Sequence, residues 1–231
     1  MRERRDTGRA WAEELSRTAL DGAWPGFRPD RRGRKPMVNG DHGLDVSISH
    51  SGSLMLVAVA LGAPVGVDLE VVPFDAFTRP QLVRRMCSSA ELDVFTSVPD
   101  GPVRRRALAR AWTVKEATLK ARGVGLAEDP RTVEVDAESI LAEVVASPVG
   151  VAAEPEASIV RLLSTGAELR HPLDWAGLDW ADLDGVGLDW ARTAQLASAR
   201  ATGVRAIVGR GDDEGPRSRG GLHLVCRGDR I

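Results

Sequence analysis

Cysteine is scarce in this chain of 231 residues, since it occurs only as Cys87 and Cys226. The two cysteines lie far apart and lack the spacing of metal ligands, so a reduced, cytoplasmic environment is expected. Long apolar runs are missing as well, because no stretch reaches the roughly 18 apolar residues that a membrane helix needs. The amino terminus, MRERRDTGRAW, contains no apolar segment that could serve as a signal peptide. The sequence therefore predicts no membrane association.

A large excess of charge of either sign is also absent, because the formal net charge is −2. This balance argues against general nucleic-acid binding, and a hydrophobic content of 43% indicates an ordinary globular protein. The charge is nevertheless uneven, with seven basic residues between Val103 and Arg122 against Glu116 alone. Such a basic patch suits an acidic partner or a phosphorylated ligand, and a solvated helix face is the alternative.

Lysine is rare among the basic residues. Of the 31 arginines and lysines, only Lys35, Lys115 and Lys120 are lysine. Lysine offers a compact ammonium with three rotatable donors and a tunable pKa, whereas arginine carries a broad planar charge. We therefore expect these lysines to occupy positions where that chemistry is needed.

The pattern of apolar residues predicts a mixture of helices and strands. Helices are expected at 9–20, 80–86, from the Ser88-x-x-Glu91 capping box onward, at 103–121 and near 191–200. Strands are expected at 44–50, 53–60, 66–72, 131–136, 157–163 and 204–208, and the first three should form an antiparallel meander. Residues 209–221 resemble a linker before the short apolar piece LHLVC. A repeated Leu-Asp-Trp-Ala within 173–191 is assigned no function.

Two carboxylates lie one residue apart in GVDLE, residues 66–70. In a strand, Asp68 and Glu70 point to the face opposite Val67 and Leu69. One interpretation is a half-buried strand whose polar face is solvated. The alternative depends on what else in the chain contributes carboxylates.

A third carboxylate lies in the predicted helix WTVKEATLK, where Glu116 and Lys120 share a face at i and i+4. Such a pair is commonly a surface stabiliser. Together with Asp68 and Glu70, however, Glu116 completes the few carboxylates that an octahedral Mg²⁺ takes alongside water and phosphate oxygens. The set is typical of phosphoryl transfer, although the chain contains no Walker loop.

These motifs resemble those of the Sfp-type 4′-phosphopantetheinyl transferases. The resemblance covers roughly residues 33 to 136 and is carried by GRKP (33–36), SISHSG (47–52), GVDLE (66–70) and WTVKEATLKARGVGL (112–126). It implies transfer of the phosphopantetheine arm of coenzyme A to a serine of an acyl or peptidyl carrier protein, with Mg²⁺ as the cofactor and release of 3′,5′-ADP. The expected enzyme is a holo-[acyl-carrier-protein] synthase.

The resemblance also assigns roles to the metal and catalytic residues. Asp68, Glu70 and Glu116 would hold the metal, which bridges the coenzyme A pyrophosphate. Glu116 would also assist removal of the serine proton, directly or through water. Lys120 would stabilise the charge on the leaving phosphate. These roles agree with an in-line displacement at phosphorus, which needs charge stabilisation more than covalent chemistry.

Coenzyme A contacts are implied for Lys35, Ser49 and His50, with Lys35 and His50 near the 3′-phosphate. Lys115 is expected to face partly outward and to have a supporting phosphate role. Each position has a simpler interpretation: His50 could cap a turn, and Lys35 could be a solvated loop charge.

The implied fold is α+β, with two similar halves related by a pseudo-twofold and the active site between them. The expected division is an amino-terminal half at 1–64 that starts inside the family's first half and is shortened, a carboxyl-terminal half at 65–208, and a linker and tail at 209–231. A cytoplasmic monomer is expected. The alternative function is a non-catalytic paralogue that binds carrier proteins or coenzyme A.

Overall fold

The computed structural model describes residues 2–20, 24–28, 35–40, 43–147, 155–162, 166–172, 204–210 and 221–225. The helices are α1 (Arg2–Ala19), α2 (Pro80–Met86), α3 (Ser89–Thr96), α4 (Pro102–Ala121) and α5 (Ala137–Ala146). The strands are β1 (Leu44–Ser51), β2 (Leu54–Leu61), β3 (Val65–Glu70), β4 (Glu156–Leu162), β5 (Glu168–Pro172), β6 (Val204–Arg210) and β7 (Gly221–Val225). Short 3₁₀ helices occupy Asp75–Thr78, Gly125–Ala127 and Pro130–Thr132. The predicted helix near 191–200 and the repeat within 173–191 lie outside the described residues.

The described strands form two antiparallel sheets. The first sheet has the order β1-β2-β6-β7, and the second has the order β3-β4-β5. This mixed arrangement of helices with small antiparallel sheets agrees with the predicted α+β class. The pseudo-twofold and the shortened amino-terminal half remain predictions.

Helix α1 packs on the first sheet through an apolar face. Trp11 and Leu15, one helical turn apart, are buried against Val46, Met55 and other residues of β1 and β2. Trp11 and Leu15 therefore anchor α1 on the first sheet. The helix begins earlier than the predicted residue 9, because the residues before it, RERRDTG, continue the helix from Arg2.

Helix α4 packs on the second sheet and also joins the larger core of the molecule. Leu108 is buried among Phe77, Met86 and Phe95, so that α4 holds α2 and α3 in place. Further along α4, Leu119 is also fully buried. Leu108 and Leu119 therefore anchor this helix in the core.

Capping signals mark the start of α3 and the end of α4. The Ser88 hydroxyl accepts a hydrogen bond from the Glu91 amide at 3.3 Å, and Glu91 Oε2 accepts one from the Ser88 amide at 2.8 Å. Helix α4 stops before Gly123, whose φ of 74° lies in the left-handed region that glycine adopts without strain.

The predicted meander of the first three strands is wrong. Strands β1 and β2 pair as expected, but β2 then pairs with β6, and β3 pairs with β4 in the second sheet. The partner of β2 comes from a distant part of the chain, and an alternating pattern carries no record of which strand pairs with which. The strand predicted at 204–208 is present as β6 and lies in the first sheet. The domain boundaries at 64 and 208 remain a prediction.

The strand predicted at 131–136 is also wrong. This segment consists of a 3₁₀ turn and an irregular stretch, followed by α5, which begins after the Asp136 N-cap. The backbone here bonds to side chains instead of to a neighbouring strand. The Val133 carbonyl accepts from Lys115 at 2.5 Å, and the Val135 amide donates to Glu91 at 3.1 Å. The alternating valines pack in the core, since Val133 is buried and Val135 contacts the apolar cluster around Leu108.

None of the helices in the described part of the chain combines the length and apolar composition that crossing a membrane requires.

Candidate active site

Helix α4 crosses β3 at a glycine. A Cβ atom on Gly66 would lie 1.8 Å from the Ala117 carbonyl oxygen and 2.5 Å from the Ala121 amide nitrogen, so no larger residue fits there. Ala117 and Ala121 form a small apolar cluster with Val160 on the neighbouring strand. Since side chains alternate along a strand, Asp68 shares the face of Gly66 and is covered by the same helix. The solvated-face interpretation of GVDLE is therefore wrong.

The Asp68 carboxylate and the Lys120 ammonium meet beneath this helix. Asp68 is only 3% exposed, and its Oδ1 accepts hydrogen bonds from Lys120 Nζ and Ser49 Oγ, both at 2.7 Å. Lys120 Nζ also lies 3.2 Å from Ser49 Oγ and 3.4 Å from Glu116 Oε1. Burial disfavours the Lys120 charge, but the carboxylates of Asp68 and Glu116 outweigh burial and raise the pKa of Lys120 above its usual range.

The other two carboxyl groups of the site hold their protons unusually tightly. Burial, followed by the Asp68 charge, raises the pKa of Glu70 to about 7, and Glu116 and Lys120 have smaller opposing effects. Burial and the Asp68 charge also raise the pKa of Glu116, against the pull of Lys120. The single ammonium of Lys120 therefore does not neutralise the three carboxylates.

The donor set fits a divalent cation in its chemistry. Asp68 Oδ2 is buried and accepts no hydrogen bond from any residue that the structure describes. A buried carboxylate oxygen without a partner is costly, and a cation beside it would remove that cost and lower the pKa of Glu70 and Glu116. Among the described residues, no three acidic, histidine or cysteine side chains are arranged to hold a metal ion. Asp68 and Glu116 instead share the ammonium of Lys120.

The residues predicted to contact coenzyme A lie close to this site but differ in their exposure and in the hydrogen bonds that they already make. Ser49 is buried and bonded to Asp68, as described above. Lys35 Nζ pairs with Asp45 and donates to the Val65 carbonyl at 2.6 Å, so it links β1 to β3. Burial lowers the pKa of Lys35, with Asp45 acting in the opposite direction. His50 is exposed at the end of β1.

The prediction that Lys115 faces partly outward is wrong. Its side chain is 0% exposed, and its Nζ donates to Glu91 Oε1 at 2.9 Å and to the carbonyls of Pro130 at 3.3 Å and Val133 at 2.5 Å. An ammonium has three hydrogen-bond donors, and three acceptors surround this one. Lys115 therefore holds α3, α4 and the 130–135 segment together and has no donor left for a phosphate.

The basic patch at the start of α4 is largely neutralised within the protein. Arg106 is buried and donates to Glu156 at 2.5 Å, and Arg110 donates to the same carboxylate at 2.8 Å. Arg105 pairs with Asp100 at 3.3 Å near the surface. Arg106 and Arg110 thus fasten α4 to β4. For these two residues the interpretation as a docking patch is wrong.

Ser51 is a polar contact of the site to which the sequence motifs assign no role. Its hydroxyl donates to Glu70 Oε2 at 3.1 Å. The signal was present in the sequence, because polar residues recur at every second position of β1, at 45, 47, 49 and 51. Read alone, this alternation indicates a solvated strand face. Only the placement of the second sheet beside β1 shows that this polar face contacts β3.

Residues 64–148 match the family model of the 4′-phosphopantetheinyl transferase superfamily. The resemblance inferred from the motifs is therefore confirmed over this segment, which contains Asp68, Glu70, Glu116 and Lys120. Lys35, Ser49 and His50 precede it.

Three curated relatives are similar to part of the chain. The 4′-phosphopantetheinyl transferase HetI of Nostoc sp. is 35% identical over 110 residues, which are 44% of this chain and 43% of that protein. The putative 4′-phosphopantetheinyl transferase slr0495 of Synechocystis sp. is 31% identical over 98 residues, 42% of this chain and 35% of that protein. The L-aminoadipate-semialdehyde dehydrogenase-phosphopantetheinyl transferase of Eremothecium gossypii is 31% identical over 107 residues, 45% of this chain and 39% of that protein. The matched segment thus spans less than half the length of each relative.

Proposed function

We propose that this chain transfers the 4′-phosphopantetheine arm of coenzyme A to a serine of an apo acyl or peptidyl carrier protein and releases 3′,5′-ADP. The observation that carries the proposal is the buried Asp68 carboxylate, which lies beside Lys120 and Glu116 within the segment that matches the superfamily. Its relatives' names support phosphopantetheinyl transfer as the reaction class.

Asp68, Glu70 and Glu116 would hold a Mg²⁺ ion. When bound, the ion would supply positive charge to the pyrophosphate oxygens of coenzyme A. The unpartnered, buried Oδ2 of Asp68 supports this role, as do the raised pKa values of Glu70 and Glu116, which burial and the neighbouring Asp68 charge produce.

The chemical step is an in-line attack of the carrier serine oxygen on the β-phosphorus of the coenzyme A pyrophosphate. The bond from this phosphorus to the bridging oxygen breaks, and that oxygen leaves on 3′,5′-ADP. Glu116 would accept the serine proton, directly or through water. Lys120 would stabilise the charge that develops on the leaving phosphate.

Coenzyme A recognition is proposed for the end of β1. His50 is exposed there and would face the 3′-phosphate. Lys35 has two of its three donors committed to Asp45 and Val65, so it would offer at most one to the same phosphate. Ser49 would act near the pyrophosphate because it already contacts Asp68 and Lys120. The monomeric state and the cytoplasmic location remain proposals.

The test is to incubate the protein with coenzyme A and Mg²⁺ and either an apo acyl carrier protein or an apo peptidyl carrier domain, and to weigh the carrier by mass spectrometry. The expected result is a gain of one phosphopantetheine arm, with 3′,5′-ADP released and the reaction abolished by EDTA. A carrier that binds the protein but keeps its mass would instead support the non-catalytic alternative.

A further inference from the structure

The polar residues of β1 take the place of a backbone ladder between the two sheets. The Val65 amide donates to Asp45 Oδ2 at 2.7 Å, and the Val67 amide donates to Ser47 Oγ at 3.0 Å. On its other edge, β3 pairs with β4 through ordinary backbone hydrogen bonds. Among the described strands, β1 and β3 share no backbone ladder. Their spacing is therefore set by side chains of β1.

The polar residues of β1 also contact the carboxylates of the site. Ser49 donates to Asp68 Oδ1 at 2.7 Å, and Ser51 donates to Glu70 Oε2 at 3.1 Å. Ser51 also accepts from the Val71 amide at 3.3 Å. One hydroxyl thus binds both the backbone that follows Glu70 and the Glu70 carboxylate itself.

The turn after β1 fixes the position of Ser51 relative to the end of β3. Gly52 has a φ of 55°, and a Cβ atom on this residue would lie 2.9 Å from Val71 Cγ2. The turn therefore packs directly on Val71, next to the end of β3. With the backbone of Ser51 held in this way, its hydroxyl can orient the Glu70 carboxylate without reorganising when a ligand arrives.

We infer that Ser51 is a positioning residue, which orients Glu70 for the divalent cation. The inference rests on the proposed function, because it concerns the same metal site. A hydrogen bond from a neighbouring hydroxyl fixes the orientation of a ligating carboxylate, and loss of such a partner commonly costs 10- to 100-fold in metal affinity. Ser47 offers a matched control, since its hydroxyl accepts a β3 amide in the same way but contacts no carboxylate of the site in the described structure.

The experiment titrates Mn²⁺ alone into the full chain and follows the loss of the free aquo-ion signal by electron paramagnetic resonance. Wild type is compared with Ser51→Ala, Ser51→Thr and Ser47→Ala. We expect Ser51→Ala to weaken Mn²⁺ binding roughly 10-fold and Ser51→Thr to retain it, because threonine keeps the hydroxyl. Ser47→Ala should lower the urea midpoint of unfolding but leave the Mn²⁺ affinity within about 2-fold of wild type.

An unchanged Mn²⁺ affinity in Ser51→Ala would overturn the inference. Equal weakening in Ser51→Ala and Ser47→Ala would also overturn it, because the polar residues of β1 would then act only on the structure. A wild-type protein that binds no Mn²⁺ would overturn the metal site of the proposed function, and the role of Ser51 with it. The wild-type curve therefore reports on the proposed function, and the difference between the variants reports on Ser51.

Discussion

The contacts of Lys120 explain why this position has a lysine in a chain whose basic residues are mostly arginine. Its compact ammonium lies within 3.4 Å of oxygens from Asp68, Ser49 and Glu116. A planar guanidinium is longer and wider and spreads its charge over three nitrogens, so it cannot occupy the same point.

We predict that Lys120→Arg lowers turnover by roughly 10²-fold, because a wide guanidinium stabilises the leaving phosphate less well. Coenzyme A binding should change much less than kcat, since the loss falls mainly on the transition state. The measurement is steady-state kinetics with a saturating apo carrier. Turnover equal to wild type would remove Lys120 from the catalytic set.

Glu70 makes the stability of the metal-free protein depend on pH. Its folded pKa of about 7 lies above the ordinary 4.5, so the folded state binds this proton more tightly than the unfolded state. The contribution to the free energy of unfolding is fully present below about pH 4.5 and is lost as the pH rises through about 7.

We therefore predict that Glu70→Gln reduces the loss of stability between about pH 5.5 and about pH 8, because an amide does not titrate. Urea unfolding in EDTA measures this difference, and unfolding of Asp100→Asn, a change at an exposed carboxylate, serves as the control. The same pH dependence in wild type and Glu70→Gln would contradict the raised pKa.

The role of Lys115 could not be predicted from the sequence, because a helical lysine is ordinarily exposed. Its acceptors come from Glu91 and from the 130–135 segment, which only the fold brings together. We predict that Lys115→Met destabilises the protein by about 3–5 kcal/mol, since it leaves the buried Glu91 carboxylate without its cation.

The matched control is Arg105→Ala at the more exposed pair with Asp100, which should cost no more than about 1 kcal/mol. Both values come from urea unfolding. A small effect of Lys115→Met would show that this buried pair does not hold the helices together.

At the scale of elements, the contact between α4 and β3 depends on Gly66. We predict that Gly66→Ala costs at least about 3 kcal/mol, because the methyl group would collide with backbone atoms of the helix that cannot move independently. Gly101→Ala at the start of the same helix is the control, since its Cβ would meet nothing closer than 3.9 Å. Thermal unfolding compares the two variants, and equal melting temperatures would contradict the close packing.

The elements themselves were largely predictable, but their partners were not. Capping signals and periodicity located β1, β2, α2, α3 and α4, because these signals are local. The strand predicted at 131–136 failed because its backbone bonds to the side chains of Lys115 and Glu91, while its valines pack in the core. The meander failed because β6, more than 140 residues after β2, is its actual partner.

At the scale of the molecule, the site is built where the edges of two sheets meet. Asp68 and Glu70 come from the second sheet, the hydroxyls that orient them come from the first, and α4 covers them with Glu116 and Lys120. The motifs singled out Asp68, Glu116 and Lys120, and the structure brings these three side chains together. The motifs could not predict the supporting hydroxyl row, because that contact depends on the placement of β1 beside β3.

A comparison of wild type with Asp68→Asn tests whether the buried Asp68 carboxylate is part of a phosphopantetheinyl transfer site. The variant keeps the size of the side chain but removes the charge that faces Lys120. Both proteins are incubated with apo carrier, coenzyme A and Mg²⁺, the carrier is weighed by mass spectrometry, and folding is checked by circular dichroism. We predict that wild type converts the carrier to its phosphopantetheinylated form and that folded Asp68→Asn leaves it unmodified. Equal conversion by both proteins, or none by wild type with either class of carrier, would contradict this prediction.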